Sequence, residues 1–197
     1  MFHKTINNLD LIKKEIQSKI SKLNYLNYNP KIIAICKTFP ISDVLPLINH
    51  GHVHFGENKV QESIEKWTDI KNDFKNIKLH MVGKLQTNKV KHVLSLFDYI
   101  HSLDNIKLAE KISNEQQKIG KKIKIFIQVN IGNESQKSGI LVENLFSFYK
   151  KCKNDFGLQI EGLMCIPPND NKSEIYFSKM KKLSDQINLS ELSMGMS

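Results

Sequence analysis

The sequence predicts an α/β fold in which buried strands and helices alternate along the chain. Two observations support this prediction. Apolar runs such as "KIIAICKT" and "KIKIFIQVN" are typical of strands covered on both faces of a parallel sheet. Segments with apolar residues at helical spacing separate these runs. Such an alternation favours a parallel sheet with right-handed crossover connections.

The elements follow one another in order from the N-terminus. The first helix is predicted over residues 4–24, where one apolar stripe comprises Ile6, Leu9, Ile12, Ile16 and Ile20. The first strand, "KIIAICKT", comes next. The helix "ISDVLPLINHG" follows it, with Ser42 as its expected N-cap and Gly51 as its stop.

Later strands are predicted at "HVHFGEN", "KLHMVG", "DYIHSLD", "KIKIFIQVN", "LQIEGLMCI" and "ELSMGMS". Among the helices between them, "TNKVKHVLSLF" has Thr87 as its expected cap, and another runs from about Asp104 to Gly120. Because no GxGxxG follows the first strand, the pattern favours a (β/α)8 barrel over a dinucleotide-binding fold. A complete barrel has eight strands, one more than the sequence predicts.

Composition limits the function classes. The 197 residues suit one domain, with an N-terminal helix in 1–28 and βα repeats in 30–197. The net charge of +9 is scattered, which argues against a nucleic-acid partner. Three cysteines without CxxC spacing, and no apolar signal or membrane span, predict a soluble cytoplasmic protein with no membrane partner.

Polar residues follow several predicted strands, at the end of a barrel where functional groups gather. Lys37 directly follows the apolar run "IIAIC", an unusual place for an ammonium without a partner. An amine attacks an aldehyde only in its neutral form, which apolar surroundings favour. Near the C-terminus, Ser193 offers a hydroxyl and Gly195 allows close backbone approach, a combination that suits a phosphate.

Other candidates have plainer interpretations. The histidines of "HGHVHFG" lack further ligands for a metal site, so we expect no bound metal. His80 is expected to face the barrel interior with its hydrogen bonds satisfied. Glu57 is equally consistent with a structural partner and a functional acid. Strand alternation should turn Cys36 away from Lys37 and into the core.

Seven segments, in this order, resemble the pyridoxal phosphate homeostasis proteins: "AICKTFP", "HFGENKVQE", "HMVGKLQTNKV", "HSLD", "QVNIGNESQKSGI", "EGLMCIPP" and "LSMGMS". The resemblance implies a TIM-barrel-like fold of the alanine racemase N-terminal type. It also implies that Lys37 holds pyridoxal 5′-phosphate as a Schiff base and that Ser193 contacts its phosphate. Gly195, Asn58 and Met164 would complete the cofactor site. Lys137 is a candidate secondary amine.

The same resemblance implies a further helix and an eighth strand carrying an arginine and a glycine. The sequence stops at Ser197, so we expect the last βα segment to be missing and the first and seventh strands to be edges. Three explanations stay open: a truncated, decaying gene, a chain cut short, or a dimer partner that covers the gap.

The function expected from the resemblance is non-catalytic. The protein would buffer pyridoxal phosphate and hand it to apo-enzymes, as a monomer or weak dimer. No acid–base pair of the kind needed for racemisation stands out in the sequence. A small racemase-like enzyme, a basic nucleic-acid binder and a degraded relic with weak cofactor binding are the alternatives.

Overall fold

The computed structural model describes residues 4–25 and 27–195. In this part of the chain, strands and helices alternate as the sequence predicts. The strands are β1 (Ala34–Ile35), β2 (His54–Glu57), β3 (Lys78–Met81), β4 (Tyr99–Leu103), β5 (Lys124–Gln128), β6 (Ile160–Cys165) and β7 (Glu191–Met194). The α-helices are α1 (Lys4–Lys22), α2 (Ile41–Asn49), α3 (Val60–Asp73), α4 (Val90–Leu96), α5 (Ile106–Ile119), α6 (Leu145–Asn154) and α7 (Ser173–Gln186).

The strands form one parallel sheet in chain order, from β1 to β7. The sheet is curled, as the distance of 2.8 Å between the side chains of His101 on β4 and Ser193 on β7 shows. Two strands lie between β4 and β7, and neighbouring strands are spaced about 4.8 Å apart. A flat sheet would therefore keep those side chains well beyond contact. The predicted parallel, barrel-like α/β fold is confirmed.

The hydrophobic core lies between the sheet and the helices. Alternate strand residues face the helices and are fully buried, among them Phe55, Leu79, Ile100 and Ile125. The ring of Phe55 packs against Trp67 of α3 with centroids 5.1 Å apart. Among the described residues, we find no helix with both the length and the apolar character needed to cross a bilayer.

The first strand is shorter than predicted. Only Ala34 and Ile35 pair with β2, through Phe55 and Gly56, whereas the predicted strand extends over residues 31–38. Beyond β1, the Cys36 N–H still donates to the Gly56 carbonyl at 2.9 Å. The chain then turns at Thr38, which has a φ of +69°. This turn ends the strand.

Two predicted helix caps are wrong. Helix α2 begins at Ile41 after Pro40, whose φ of −66° suits the start of a helix, so Ser42 lies inside the first turn. Thr87 lies in a short 3₁₀ helix, Thr87–Lys89, and α4 begins only afterwards. The hydroxyl of neither residue caps its helix.

Helix α5 has a side-chain cap at its N-terminus and a glycine stop at its C-terminus. The Asn105 Oδ1 accepts a hydrogen bond from the Leu108 N–H at 2.9 Å, and Gly120 ends the helix with a φ of +65°. We expect Asn105→Ala to lower the free energy of unfolding by about 1 kcal/mol. Thr87→Ala, the matched control, should change it by less than about 0.5 kcal/mol. Urea denaturation of both variants measures the difference, and equal values would contradict the assigned cap.

Candidate functional site

The candidate site lies at the carboxyl edge of the parallel sheet. Lys37 follows β1 by two residues, Asn58 directly follows β2, and Gly195 directly follows β7. The pairing of Ile35 with Gly56 places Lys37 level with Asn58. At the other side of the sheet, Met164 on β6 is the register partner of Ser193 on β7. The register thus groups the predicted site residues in two pairs at one edge.

Lys37 lies on the face of β1 that the helices leave open. Ile35 is 45% exposed and Cys36 is 3% exposed, so the two alternate as a strand requires, and half-buried Lys37 shares the side of Ile35. Within the described part of the chain, the Lys37 ammonium has no hydrogen-bond or ion-pair partner. Its amine is therefore available at the sheet edge.

Cys36 is a core residue, as its position in the strand predicts. Its thiol donates to the Ala34 carbonyl at 3.3 Å. Burial raises the pKa of the Cys36 thiol to about 12, although the nearby Lys66 ammonium lowers it. The thiol is consequently protonated near neutral pH and is a poor nucleophile.

A buried polar cluster fixes the backbone just before Lys37. The Lys66 ammonium of α3 donates to the Cys36 carbonyl and to Glu57 Oε1, both at 2.7 Å. The Trp67 indole N–H donates to the same carboxylate oxygen at 2.9 Å. This geometry makes Glu57 a structural partner that faces α3. The positive φ of Thr38, rare for a β-branched residue, follows immediately.

Asn58 is held by the loop that follows β3. Gly83 lies so close to it that a Cβ at position 83 would be 2.2 Å from the Asn58 carbonyl oxygen. Only glycine allows this approach without displacing backbone. The glycine of "HMVGKLQTNK" therefore positions half-buried Asn58, a contact between two loops that the sequence does not indicate.

The β6–β7 side of the site combines an apolar wall with a hydroxyl. Met164 is 4% exposed and Ser193 is half-buried. A Cβ added to Gly195 would meet no atom of residues 4–25 and 27–195 within 4 Å, so these residues do not crowd the backbone at the end of β7. The Ser193 hydroxyl, predicted to serve a phosphate, also hydrogen bonds to His101 Nδ1.

Three histidines, His54, His80 and His101, form a line of hydrogen-bonded side chains that we call the histidine chain. Ser193 lies at the end of this chain next to His101. His54 Nδ1 lies 2.9 Å from His80 Nε2, and His80 Nδ1 lies 2.9 Å from His101 Nε2. His80 stacks on Tyr99, and His101 stacks on Phe126. Both ring nitrogens of His80 are engaged, so its expected role as a satisfied interior histidine is confirmed.

Burial keeps the inner rings of the histidine chain neutral. It lowers the pKa of His80 to about 2, with the neighbouring His101 and His54 adding to the effect. It also lowers the pKa of His101 to about 3. The pKa of half-buried His54 is lowered too, first by burial and then by Lys31. The sequence shows these residues as "HVH", "LHM" and "IHS", but contact between them depends on strand register.

The remaining histidines of "HGHVHFG" have structural contacts. His50 Nε2 is 3.3 Å from Asp10 Oδ1, and His52 Nε2 is 2.9 Å from the His54 carbonyl oxygen. Across residues 4–25 and 27–195, no three or more His, Cys, Asp or Glu side chains are grouped so as to hold a metal ion.

Lys137, the candidate secondary amine, is already engaged. Its ammonium lies 2.7 Å from Glu134 Oε2 and donates to the Pro167 carbonyl at 3.0 Å. Asn130, two residues after β5, shapes this loop by hydrogen bonding to both the N–H and the carbonyl of Glu134. Lys137 thus differs from Lys37, whose amine is unpaired in the described residues.

Residues 9–197 match the model of the alanine racemase N-terminal domain family. A pyridoxal phosphate homeostasis protein of Haemophilus influenzae is 37% identical over 200 residues, which cover 96% of this chain and 84% of that protein. The chain belongs to the pyridoxal phosphate homeostasis protein family. The resemblance drawn from its seven segments is therefore confirmed.

Solved structures agree with this family assignment. PipY of Synechococcus elongatus PCC7942, solved with PLP bound, is 30% identical, with a TM-score of 0.74 over 91% of this chain and 88% of that one. An alanine racemase of Clostridium difficile shares the fold alone, at 12% identity and a TM-score of 0.65 over 85% of this chain and 46% of that one. Like other members of the pyridoxal phosphate homeostasis family, the chain thus has the TIM-barrel-like fold.

Proposed function

We propose that the chain binds pyridoxal 5′-phosphate through Lys37 and serves intracellular pyridoxal phosphate homeostasis by buffering or delivering this cofactor. The observation that carries the proposal is the half-buried ammonium of Lys37 at the carboxyl edge of the sheet, which has no hydrogen-bond or ion-pair partner among the described residues. Because no carboxylate or carbonyl of the described residues engages this amine, it is free to react with an aldehyde. Similarity to a protein solved with PLP bound supports the same conclusion.

The residues at the sheet edge fit this cofactor. Lys37 would hold the cofactor, because a primary amine can condense with an aldehyde to form a carbon–nitrogen double bond with release of water. Ser193 and the backbone at Gly195, which the described residues do not crowd, suit the phosphate, because a hydroxyl and a backbone N–H can donate to its oxygens. Buried Met164 offers an apolar surface, and Asn58 a polar one, to the remainder of the cofactor.

The contacts of the neighbouring reactive groups favour a carrier over a catalyst. Glu57 is committed to Lys66 and Trp67 on the side of α3, so it does not face Lys37 as a base. The Cys36 thiol points into the core. Measured racemisation of alanine by the purified protein, lost in Lys37→Ala, would instead establish the racemase alternative. Faster reactivation of an apo-enzyme by loaded protein than by free cofactor would support delivery.

The Lys37→Ala variant tests the attachment. We expect the wild-type protein mixed with pyridoxal phosphate to develop the visible absorbance of a lysine-bound cofactor, and Lys37→Ala to lose it completely. Lys84→Ala removes another lysine that follows a strand, exposed after β3, and should retain the full signal. Equal absorbance in Lys37→Ala and wild type would refute attachment at Lys37.

A further inference from the structure

The histidine chain crosses the interior of the curled sheet and ends at the candidate phosphate site. It takes one ring from each of β2, β3 and β4 and reaches the hydroxyl of Ser193 on β7. Every link is a hydrogen bond of 2.8 or 2.9 Å. Stacking on Tyr99 and Phe126 holds the planes of the two inner rings. The hydroxyl is thus connected to groups far from it in sequence.

In a chain of hydrogen-bonded neutral imidazoles, the hydrogen bonds can donate in only two consistent ways, either all toward Ser193 or all away from it. Each neutral ring has one N–H donor and one bare acceptor nitrogen. If His54 Nδ1–H donates to His80, then His80 donates through Nδ1–H to His101, and His101 Nδ1–H donates to Ser193. In the opposite direction, the Ser193 hydroxyl donates to His101, and His101 and His80 each donate through Nε2–H. One choice fixes the others because both inner rings are bonded at both nitrogens.

The two directions of hydrogen bonding leave the Ser193 hydroxyl either able to donate to a ligand or able only to accept from one. A hydroxyl has one proton and two lone pairs. When His101 donates to it, the proton of Ser193 is free to bond an anion. When Ser193 donates to His101, only lone pairs remain, and these repel the oxygens of a phosphate. A bound phosphate therefore favours the first direction.

We propose that His101, held by His80 and His54, is a positioning residue that turns the Ser193 hydroxyl proton toward the phosphate of the cofactor, with all three rings in the Nδ1–H tautomer. The proposal rests on the proposed function, since it requires pyridoxal phosphate at this end of the sheet. His101 acts through Ser193 and does not itself contact the cofactor. The interior histidines thus set the donor character of the site.

The tautomers are measurable by NMR of protein labelled with ¹⁵N in histidine, because protonated and bare ring nitrogens resonate at well-separated frequencies. We would record these spectra and the visible absorbance on one sample of wild-type protein with pyridoxal phosphate. Visible absorbance with Nδ1–H on His54, His80 and His101 is the expected result. Absorbance with Nε2–H on His101 would overturn the positioning role and leave the proposed function standing. An absence of absorbance would overturn both.

Affinity provides a second readout. Ser193→Ala should weaken binding of pyridoxal phosphate about 10- to 100-fold, the value of a hydrogen bond to a charged group, and leave binding of pyridoxal, which lacks the phosphate, unchanged. Ser102→Ala is the matched control, because the buried Ser102 hydroxyl has no hydrogen-bond partner in the described structure. Ser102→Ala should change the affinity for neither pyridoxal phosphate nor pyridoxal. Equal weakening of both ligands by Ser193→Ala would overturn the proposed contact with phosphate.

Discussion

Lowering the pH from 7 to 4.5 is expected to remove on the order of 5 kcal/mol from the free energy of unfolding. Burial lowers the pKa of His80 to about 2 and that of His101 to about 3, against an ordinary value of 6.5. Two pH units below 6.5, each ring accounts for about 2.7 kcal/mol. This loss is comparable with the whole stability of many domains.

The sign of this effect follows from proton binding. Between pH 6.5 and about 3, the unfolded chain binds protons on these histidines that the folded chain does not bind. Stability is therefore fully present above pH 6.5 and falls as the pH decreases toward the folded pKa values. The lowered pKa values of His54 and His52, both caused chiefly by burial, add in the same direction.

Urea denaturation at several pH values between 7 and 4.5 measures this dependence. His80→Gln should reduce the slope of stability against pH by about 1.4 kcal/mol per unit, whatever its effect on absolute stability. His92→Gln, at an exposed position of α4, should leave the slope of the wild-type protein unchanged. A slope that His80→Gln does not alter would show that the buried ring does not control the acid sensitivity.

Glu57→Gln is expected to destabilise the fold by about 3–5 kcal/mol. Glu57 is 2% exposed and Lys66 is 12% exposed, so neutralising the carboxylate leaves a buried ammonium without its counter-charge. The amide oxygen can still accept from Trp67, so the measured loss reports mainly on the ion pair. Because Lys66 also bonds the Cys36 carbonyl, the change should reach the backbone that presents Lys37.

Chemical denaturation of Glu57→Gln and of a surface control compares the two environments. Glu62 pairs with Lys59 at 2.6 Å, but both side chains are about half exposed or more. Glu62→Gln should therefore cost no more than about 1 kcal/mol. If the two substitutions cost the same, the Lys66–Glu57 pair does not have the structural role assigned to it.

Much of the fold is predictable because its signal is local. Parallel strands such as Lys124–Gln128 and Ile160–Cys165 each contain a short buried apolar run, and each is followed by a helical pattern. The length of β1 has no local signal in the sequence, since it depends on which of its residues pair with β2. Ser42 and Thr87 have the right side chains for caps, but the backbone starts each helix elsewhere.

The candidate site likewise has features that the sequence predicts and contacts that it does not predict. The position of Lys37 after an apolar run already indicates the carboxyl edge of a parallel sheet. The links from Lys66 to the Cys36 carbonyl and from His101 to Ser193 join residues 30 and 92 positions apart. Such contacts are set by register and curvature, which one sequence does not reveal. The single histidines in three strands were visible, but their connection was not.

Chemical trapping tests directly whether Lys37 is the amine that holds pyridoxal phosphate. Borohydride reduction of the loaded protein, followed by peptide mass mapping, would fix the cofactor to its attachment point. We expect a single modified peptide with the added mass on Lys37, and none on Lys84 or Lys137. Modification at Lys137 or spread over surface lysines, with Lys37 unmodified, would contradict attachment at Lys37.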